Sequence, residues 1–137
     1  MGTDAPYIAG MATLIAYRDG IEFYRSERAW LYPLLDLEAA LTAGRAGGPA
    51  SGRLTTYDKI VGRAGALLSA RLGVEAIEAE VVSRRALDVL WSRGIEIKAA
   101  LTVDQIDCAT EELLARVDDP DEAHRMILRR IEERRRA

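Results

Sequence analysis

The sequence predicts an α/β fold, a three-layer α-β-α sandwich with a mixed sheet. Two β-rich runs flank an Asp-Gly pair, which is a strong short-range signal for an antiparallel hairpin. Helical and extended patterns then alternate with short joins, which favours parallel strands linked by right-handed crossovers. The 137 residues suffice for one domain with a single core. We therefore predict a lead-in at residues 1–10 and one domain at 11–137.

The hairpin opens the predicted domain, with Asp19-Gly20 at its turn. The first run, residues 12–17, is almost continuously apolar and predicts the more buried strand. The second run, residues 21–25, alternates between apolar and polar side chains. This alternation predicts a strand nearer an edge of the sheet.

A helix is predicted after the hairpin, because Pro33 suits a first helical turn. Its apolar face repeats at helical spacing through Leu34, Leu37 and Leu41. The glycine-rich segment 44–52 then predicts a loop.

The stretch around Asp58 is predicted to pass from a short strand at 53–57 directly into a helix. Asp58 is expected to cap this helix by accepting hydrogen bonds from its free backbone amides. Gly73 is expected to end it. The predicted buried face comprises Ile60, Ala64, Leu67, Leu68 and Leu72.

The second half of the chain repeats the alternation of strand and helix. Strands are predicted at 75–82 and 95–99 and a helix at 109–117. Between the two strands, Ser83 is expected to cap a helix at 84–93, whose packing face comprises Ala86, Leu87, Leu90 and Trp91. Asp119 and Glu122 have the spacing of a capping box for the last helix, and Pro120 lies at its first position.

Composition limits the class of function. The net charge is −3 and the pI about 5.3, which argues against nucleic-acid binding because that needs a positive field. The single cysteine allows no intrachain disulfide, so a reducing cytoplasm is expected. The longest mostly apolar run, residues 8–17, is too short to span a bilayer and is not a signal peptide. No membrane partner is expected.

The chain resembles an uncharacterised bacterial and archaeal domain family placed in the cytidine-deaminase-like superfamily. The most specific resembling segment is Asp58-Lys59-Ile60-Val61-Gly62-Arg63-Ala64. The other resembling segments are Asp19-Gly20, Pro33-Leu34-Leu35, Val81-Val82-Ser83, Gly94-Ile95, Asp107-Cys108 and Asp118-Asp119-Pro120. The resemblance implies a cytidine-deaminase-like fold and no particular activity.

The resemblance also implies that the helices starting near Asp58 and Ser83 stand where true deaminases hold zinc. Such enzymes need three His or Cys ligands and a catalytic Glu. This chain has one Cys and one His, so it cannot assemble that centre alone. We expect no metal and no cofactor.

The favoured hypothesis is a small anionic or nucleotide-like ligand at the carboxyl edge of the sheet. The candidate ligand-binding residues are Asp58, Lys59, Gly62, Arg63, Ser83 and Arg84. The plainer interpretation makes Asp58 a helix cap, Lys59 a solvated side chain and the glycines packing residues.

Two other hypotheses come from different classes of protein. In the first, a metal-independent enzyme uses Cys108 as nucleophile while Asp58 and Lys59 assist proton transfer. A lone cysteine such as Cys108 is more commonly a small buried apolar residue. In the second, a structural or regulatory module self-associates as a homo-oligomer through Trp30, Tyr32 or the terminal helix.

Overall fold

The structure, a computed structural model, describes residues 10–44, 52–106 and 109–136. These ranges contain six strands and five helices. The strands are β1 (Leu14–Arg18), β2 (Ile21–Ser26), β3 (Leu54–Asp58), β4 (Ile60–Val61), β5 (Ala76–Ser83) and β6 (Glu96–Val103). The helices are α1 (Tyr32–Thr42), α2 (Arg63–Leu72), α3 (Arg84–Ser92), α4 (Ala109–Leu113) and α5 (Pro120–Arg136). None of the helices in the described ranges is long and apolar enough to cross a bilayer.

The six strands form one mixed sheet. β1 runs antiparallel to both β2 and β3, whereas β3, β4 and β6 run parallel to β5. Thr55 pairs with Ala76 and Ile60 with Val81, so β3 and β4 share one register along the same edge of β5. They are two parts of one extended segment interrupted at Lys59. The α/β fold and the mixed sheet predicted from the sequence are confirmed.

The predicted hairpin is confirmed. Asp19 and Gly20 adopt positive φ angles of 49° and 82°, as a two-residue turn between twisted strands requires. β1 is largely buried, whereas β2 is mostly exposed or half-buried and lies at the edge of the sheet. The difference in apolar pattern between the two runs therefore predicted their positions correctly.

The main core lies between one face of the sheet and the helices. Its most deeply buried side chains include Leu14, Leu37, Leu54, Val61, Leu67, Val82, Leu90, Leu114 and Ile127. A smaller cluster of Ala12, Ile15 and Tyr57 contains no residue from the helices described above. A three-layer sandwich needs a helix over this second cluster, so the third layer stays a prediction.

An irregular pairing with β5 at Lys59 determines which side chains of β3 and β4 are buried. The Lys59 carbonyl accepts hydrogen bonds from the amides of both Glu80 and Val81, each at 3.1 Å. Beyond this point Val61 is fully buried and Ile60 is 53% exposed. The prediction that Ile60 lies on the buried face of a helix is therefore wrong, because residue 60 still belongs to a strand.

Two further predictions need correction. Trp91 was expected in the packing face of α3, but it is 65% exposed, while Ala86, Leu87, Val89 and Leu90 are buried. The helix predicted at 109–117 ends at Leu113, because the following chain turns towards α2. The helix caps at Ser83 and Asp119 lie where the sequence placed them.

Candidate functional site

A cavity of about 480 Å³ lies where β3 ends, beside the starts of α1 and α2. Ile106 and the start of α4 contribute to its wall. Its lining comprises Thr13, Ala29, Trp30, Leu31, Pro33, Leu34, Asp58, Lys59, Ile60, Gly62, Ala64, Gly65, Ile106, Thr110 and Glu111. Most of this lining is apolar, and three of its side chains are ionisable. Such a cavity suits a small molecule fixed by a few polar contacts.

Asp58 enters the cavity from the last position of β3. Leu54, Thr56 and Asp58 alternate along the strand, so Asp58 points to the face that the helices cover. Its side chain is half-buried, and the backbone amide of Ile60 donates a hydrogen bond to it. Burial raises the pKa of the Asp58 carboxyl from 3.8 to about 7, and the bond from Ile60 opposes this only in part.

Lys59 lies at the exposed edge of the same cavity. Its amide donates to the Thr13 carbonyl at 3.0 Å, and its carbonyl accepts the two bonds from β5. The backbone of Lys59 is therefore held on both sides by the sheet. The side chain remains exposed to solvent beside the cavity.

Glu111 closes the other side of the cavity and caps α2. Its Oε1 accepts a hydrogen bond from the Arg63 amide at 2.5 Å, and its Oε2 accepts one from the Ile106 amide at 2.8 Å. The side chain is almost fully buried. The chain's own carboxylate thus occupies the position at the start of α2 where an anion would bind.

The prediction that Asp58 caps the following helix is wrong. Asp58 ends β3, and α2 begins only at Arg63, with Gly62 as a cap residue that has no side chain. A Cβ at Gly62 would lie 2.9 Å from Glu111 Oε1. The backbone at Gly62 is extended, a conformation that any residue can adopt. Glycine is therefore required there by the close approach of Glu111 and not by the backbone conformation.

The side chain of Arg63 lies outside the cavity lining. Its guanidinium is buried and donates to the carbonyls of Leu114, Val117 and Arg85 and to the Asp118 carboxylate. These bonds tie α2 to α3 and to the turn before α5. These hydrogen bonds occupy the N–H donors of the guanidinium that a ligand would need.

Ser83 and Arg84 are also outside the cavity lining. The fully buried Ser83 Oγ accepts a hydrogen bond from the Ala86 amide at 3.0 Å and so caps α3. Arg84 is exposed and pairs with Asp104 at 3.0 Å. Of the predicted site residues, the cavity brings together Asp58, Lys59 and Gly62.

Cys108 lies outside the described residues, so its role as a nucleophile stays a prediction. The described residues contain no group of three His, Cys, Asp or Glu side chains that could hold a metal ion. The proposed self-association through Trp30, Tyr32 or the terminal helix likewise stays a prediction.

Sequence reasoning missed Trp30, Thr110 and Glu111 as parts of this cavity. Trp30 has a φ of 63°, an uncommon backbone state for a bulky side chain. Its ring packs edge-on against Tyr32 with centroids 5.3 Å apart, and its indole nitrogen lies 3.5 Å from Thr110 Oγ1. No local pattern marks these contacts, because Trp30 and Thr110 are 80 residues apart.

Comparisons with known proteins give a family and a fold. A family model described as "TM1506: Domain of unknown function (DUF1893)" matches residues 9–131. A crystal structure of a DUF1893 family protein, TM1506 from Thermotoga maritima, is similar, with a TM-score of 0.74 and 24% sequence identity. The match covers 87% of this chain and 80% of that one. No curated protein matches the chain.

Proposed function

The chain belongs to the DUF1893 family, and we propose that it is a binding domain for a small anionic or nucleotide-like molecule. The observation that carries this proposal is the cavity of about 480 Å³ with Asp58 in its lining and Lys59 at its edge. Apolar side chains line most of it, and they favour a ligand with a planar or apolar body. The few polar groups would fix its orientation.

The position of the cavity supports the proposal. It lies at the carboxyl ends of β3 and β4, beside the point where the sheet changes from antiparallel to parallel pairing. Ligands of α/β proteins commonly bind at this edge. The topology of the sheet therefore supports the proposed site independently of the residues in it.

Lys59 is the residue that we assign to the anionic group of the ligand. It is the one cationic side chain among the described residues that line the cavity, and it is exposed. The start of α2 is less suitable for a phosphate, because Glu111 already accepts the Arg63 amide. The ligand would thus place its body in the cavity and its anionic group outside, at Lys59.

The proposal also includes a relation to the cytidine deaminases, in a domain that lacks their zinc centre. At the start of α2 the chain offers Gly62 and Arg63, and at the start of α3 it offers Ser83 and Arg84. None of these residues is a His or Cys ligand for zinc. The proposal therefore assigns binding to Asp58 and Lys59.

A thermal-shift screen with nucleoside monophosphates and inorganic phosphate tests this function. A nucleotide at about 100 times its Kd would add about 2.7 kcal/mol to stability. This would raise the Tm by roughly 10 °C in a domain of this size. Lys59→Ala should weaken nucleotide binding about tenfold or more, because a hydrogen bond to a charged group is lost.

Lys98→Ala is the matched control, because Lys98 is the only other lysine and lies on β6, outside the cavity lining. It should bind nucleotide as the unmodified protein does. An absence of any shift, or equal shifts in Lys59→Ala and in the unmodified protein, would contradict the proposed function.

A further inference from the structure

The ionisable side chains inside the cavity are carboxyl groups. Of its three ionisable side chains, Asp58 and Glu111 are acids, and Lys59 is the exposed base at the edge. Both carboxylate oxygens of Glu111 already accept backbone amides. Asp58 accepts one backbone amide, from Ile60, and no described cation offsets its burial. Asp58 is thus the acceptor with capacity left for a ligand.

We propose that Asp58 binds a nitrogen hydrogen-bond donor, of the amidine or amino-heteroaromatic type, on the part of the ligand that lies within the cavity. This inference rests on the proposed function and adds the chemistry of the enclosed end of the ligand. An amidine offers two parallel N–H groups and a positive charge, which match the two oxygens of a carboxylate.

The surroundings of Asp58 strengthen such a contact. Leu31, Leu34 and Ile106 belong to the same lining and make it largely apolar. A charge-assisted hydrogen bond is stronger where water is excluded. An anionic group at this depth would instead meet two carboxyl groups, Asp58 and Glu111. The charge arrangement therefore selects donors within the cavity and anions only at Lys59.

The pH dependence of binding shows whether the ligand group at Asp58 is a hydrogen-bond donor or an acceptor. The pKa of the Asp58 carboxyl, about 7, means that it is mostly protonated at pH 5.5 and mostly ionised at pH 8.5. A cationic donor needs the ionised form, so its binding should tighten as the pH rises through this range. The other ionisable groups nearby are Lys59, Glu111 and Tyr57, which lies on the opposite face of the sheet. Variants must therefore show which group is responsible.

The test is an NMR titration with three probes that share one ring, namely benzamidine, benzamide and benzoate, at pH 5.5 and 8.5. The Trp30 indole N–H reports on the cavity wall, and the exposed Trp91 indole N–H serves as internal reference. Benzamidine should bind most tightly, with a Kd roughly 30-fold lower at pH 8.5 than at pH 5.5. Asp58→Asn should abolish both the preference for benzamidine and its pH dependence. Lys98→Ala, outside the cavity lining, should retain both.

Asp58→Ala provides a second variant should Asp58→Asn fold poorly, and it should behave in the same way. The inference is overturned if benzamidine does not bind, if its Kd is the same at both pH values, or if Asp58→Asn and Asp58→Ala retain the preference. Binding of nucleotide that depends on Lys59, together with any of these results, leaves the proposed function standing. If both experiments fail, the proposed function and this inference are both contradicted.

Discussion

At the scale of single residues, the burial of Asp58 should make the protein less stable as the pH rises. Its pKa is 3.8 when exposed and about 7 in the fold, so between these values the folded protein binds more protons than the unfolded chain. The free energy of unfolding then falls as the pH rises from about 4 through 7. The shift of about three pH units corresponds to roughly 4 kcal/mol at about 1.4 kcal/mol per unit, and the partial exposure of Asp58 reduces this to roughly 2–4 kcal/mol.

This loss can be measured by urea unfolding of the unmodified protein and of Asp58→Asn between pH 4 and pH 8. The asparagine variant lacks the titrating group, so the stability of the unmodified protein should fall relative to it by that amount. Asp88→Asn, at an exposed position of α3, should keep the unmodified profile. A constant difference between the unmodified protein and Asp58→Asn would show that the carboxyl is not destabilised by burial.

The sequence located Asp58 and Lys59 at the edge of the sheet, but it could not identify the groups around them. Asp58 and Lys59 stand at the end of a recognisable strand, which is local information. Glu111 caps α2 from 48 positions further along the chain. A side chain that caps a helix from such a distance leaves no local pattern. The sequence therefore indicates the nearest carboxylate, Asp58, as the cap of α2.

At the scale of secondary structure, two glycines near the start of α2 should respond in opposite ways to alanine. A Cβ at Gly62 would lie 2.9 Å from Glu111 Oε1 and 3.2 Å from Ile106 Cδ1. A Cβ at Gly65 would make ordinary contacts of 3.9 Å with Leu34 and Val61. Gly62→Ala should therefore cost about 1–3 kcal/mol, whereas Gly65→Ala should add about 0.5–1 kcal/mol.

Chemical denaturation of the two variants at one pH gives this comparison directly, and each variant is the control for the other. Gly62→Ala should also disturb the amide resonances of Arg63 and Ile106, since both donate to Glu111. Equal effects of the two substitutions would show that the contact between Gly62 and Glu111 does not restrict the start of α2.

The starts of helices were predicted well where the capping residue is local and poorly where it is not. Ser83 caps α3 through the amide three residues later, and the sequence identified this cap. α2 begins at Arg63, five residues after Asp58, because the chain first completes β4 against β5. Trp91 was assigned to the core by its spacing alone, although the sheet and α2 cover a narrower face of α3.

At the scale of the whole molecule, the order of strands and helices was predictable and the assembly of the cavity was not. Short joins between strand and helix made parallel pairing along β5 the expected result. The cavity instead collects residues that are far apart in sequence, such as Trp30, Asp58 and Glu111. Their proximity depends on how α1 and α4 pack near the start of α2, which no local pattern encodes.

Arg63 should be the side chain that holds the second half of the chain onto the first. Its buried guanidinium bonds to Arg85 beside α3 and to Leu114, Val117 and Asp118 before α5. Arg63→Ala would remove hydrogen bonds from a buried guanidinium to three backbone carbonyls and to the Asp118 carboxylate, and should cost about 3 kcal/mol or more. Arg71→Ala is the matched comparison, since Arg71 also lies on α2 and pairs with Asp121 of α5 and with Glu38 of α1, but is more exposed.

Urea unfolding together with amide hydrogen exchange separates these two arginines. Arg71→Ala should cost less, about 1–2 kcal/mol, because each of its two partly exposed ion pairs contributes little. Arg63→Ala should lower the exchange protection of α5 (Pro120–Arg136) more than that of β1 (Leu14–Arg18), since its partners precede α5 directly. Equal losses of stability in the two variants, or equal losses of protection in α5 and β1, would show that α5 is held by its apolar face, through Ala123 and Ile127, and not by Arg63.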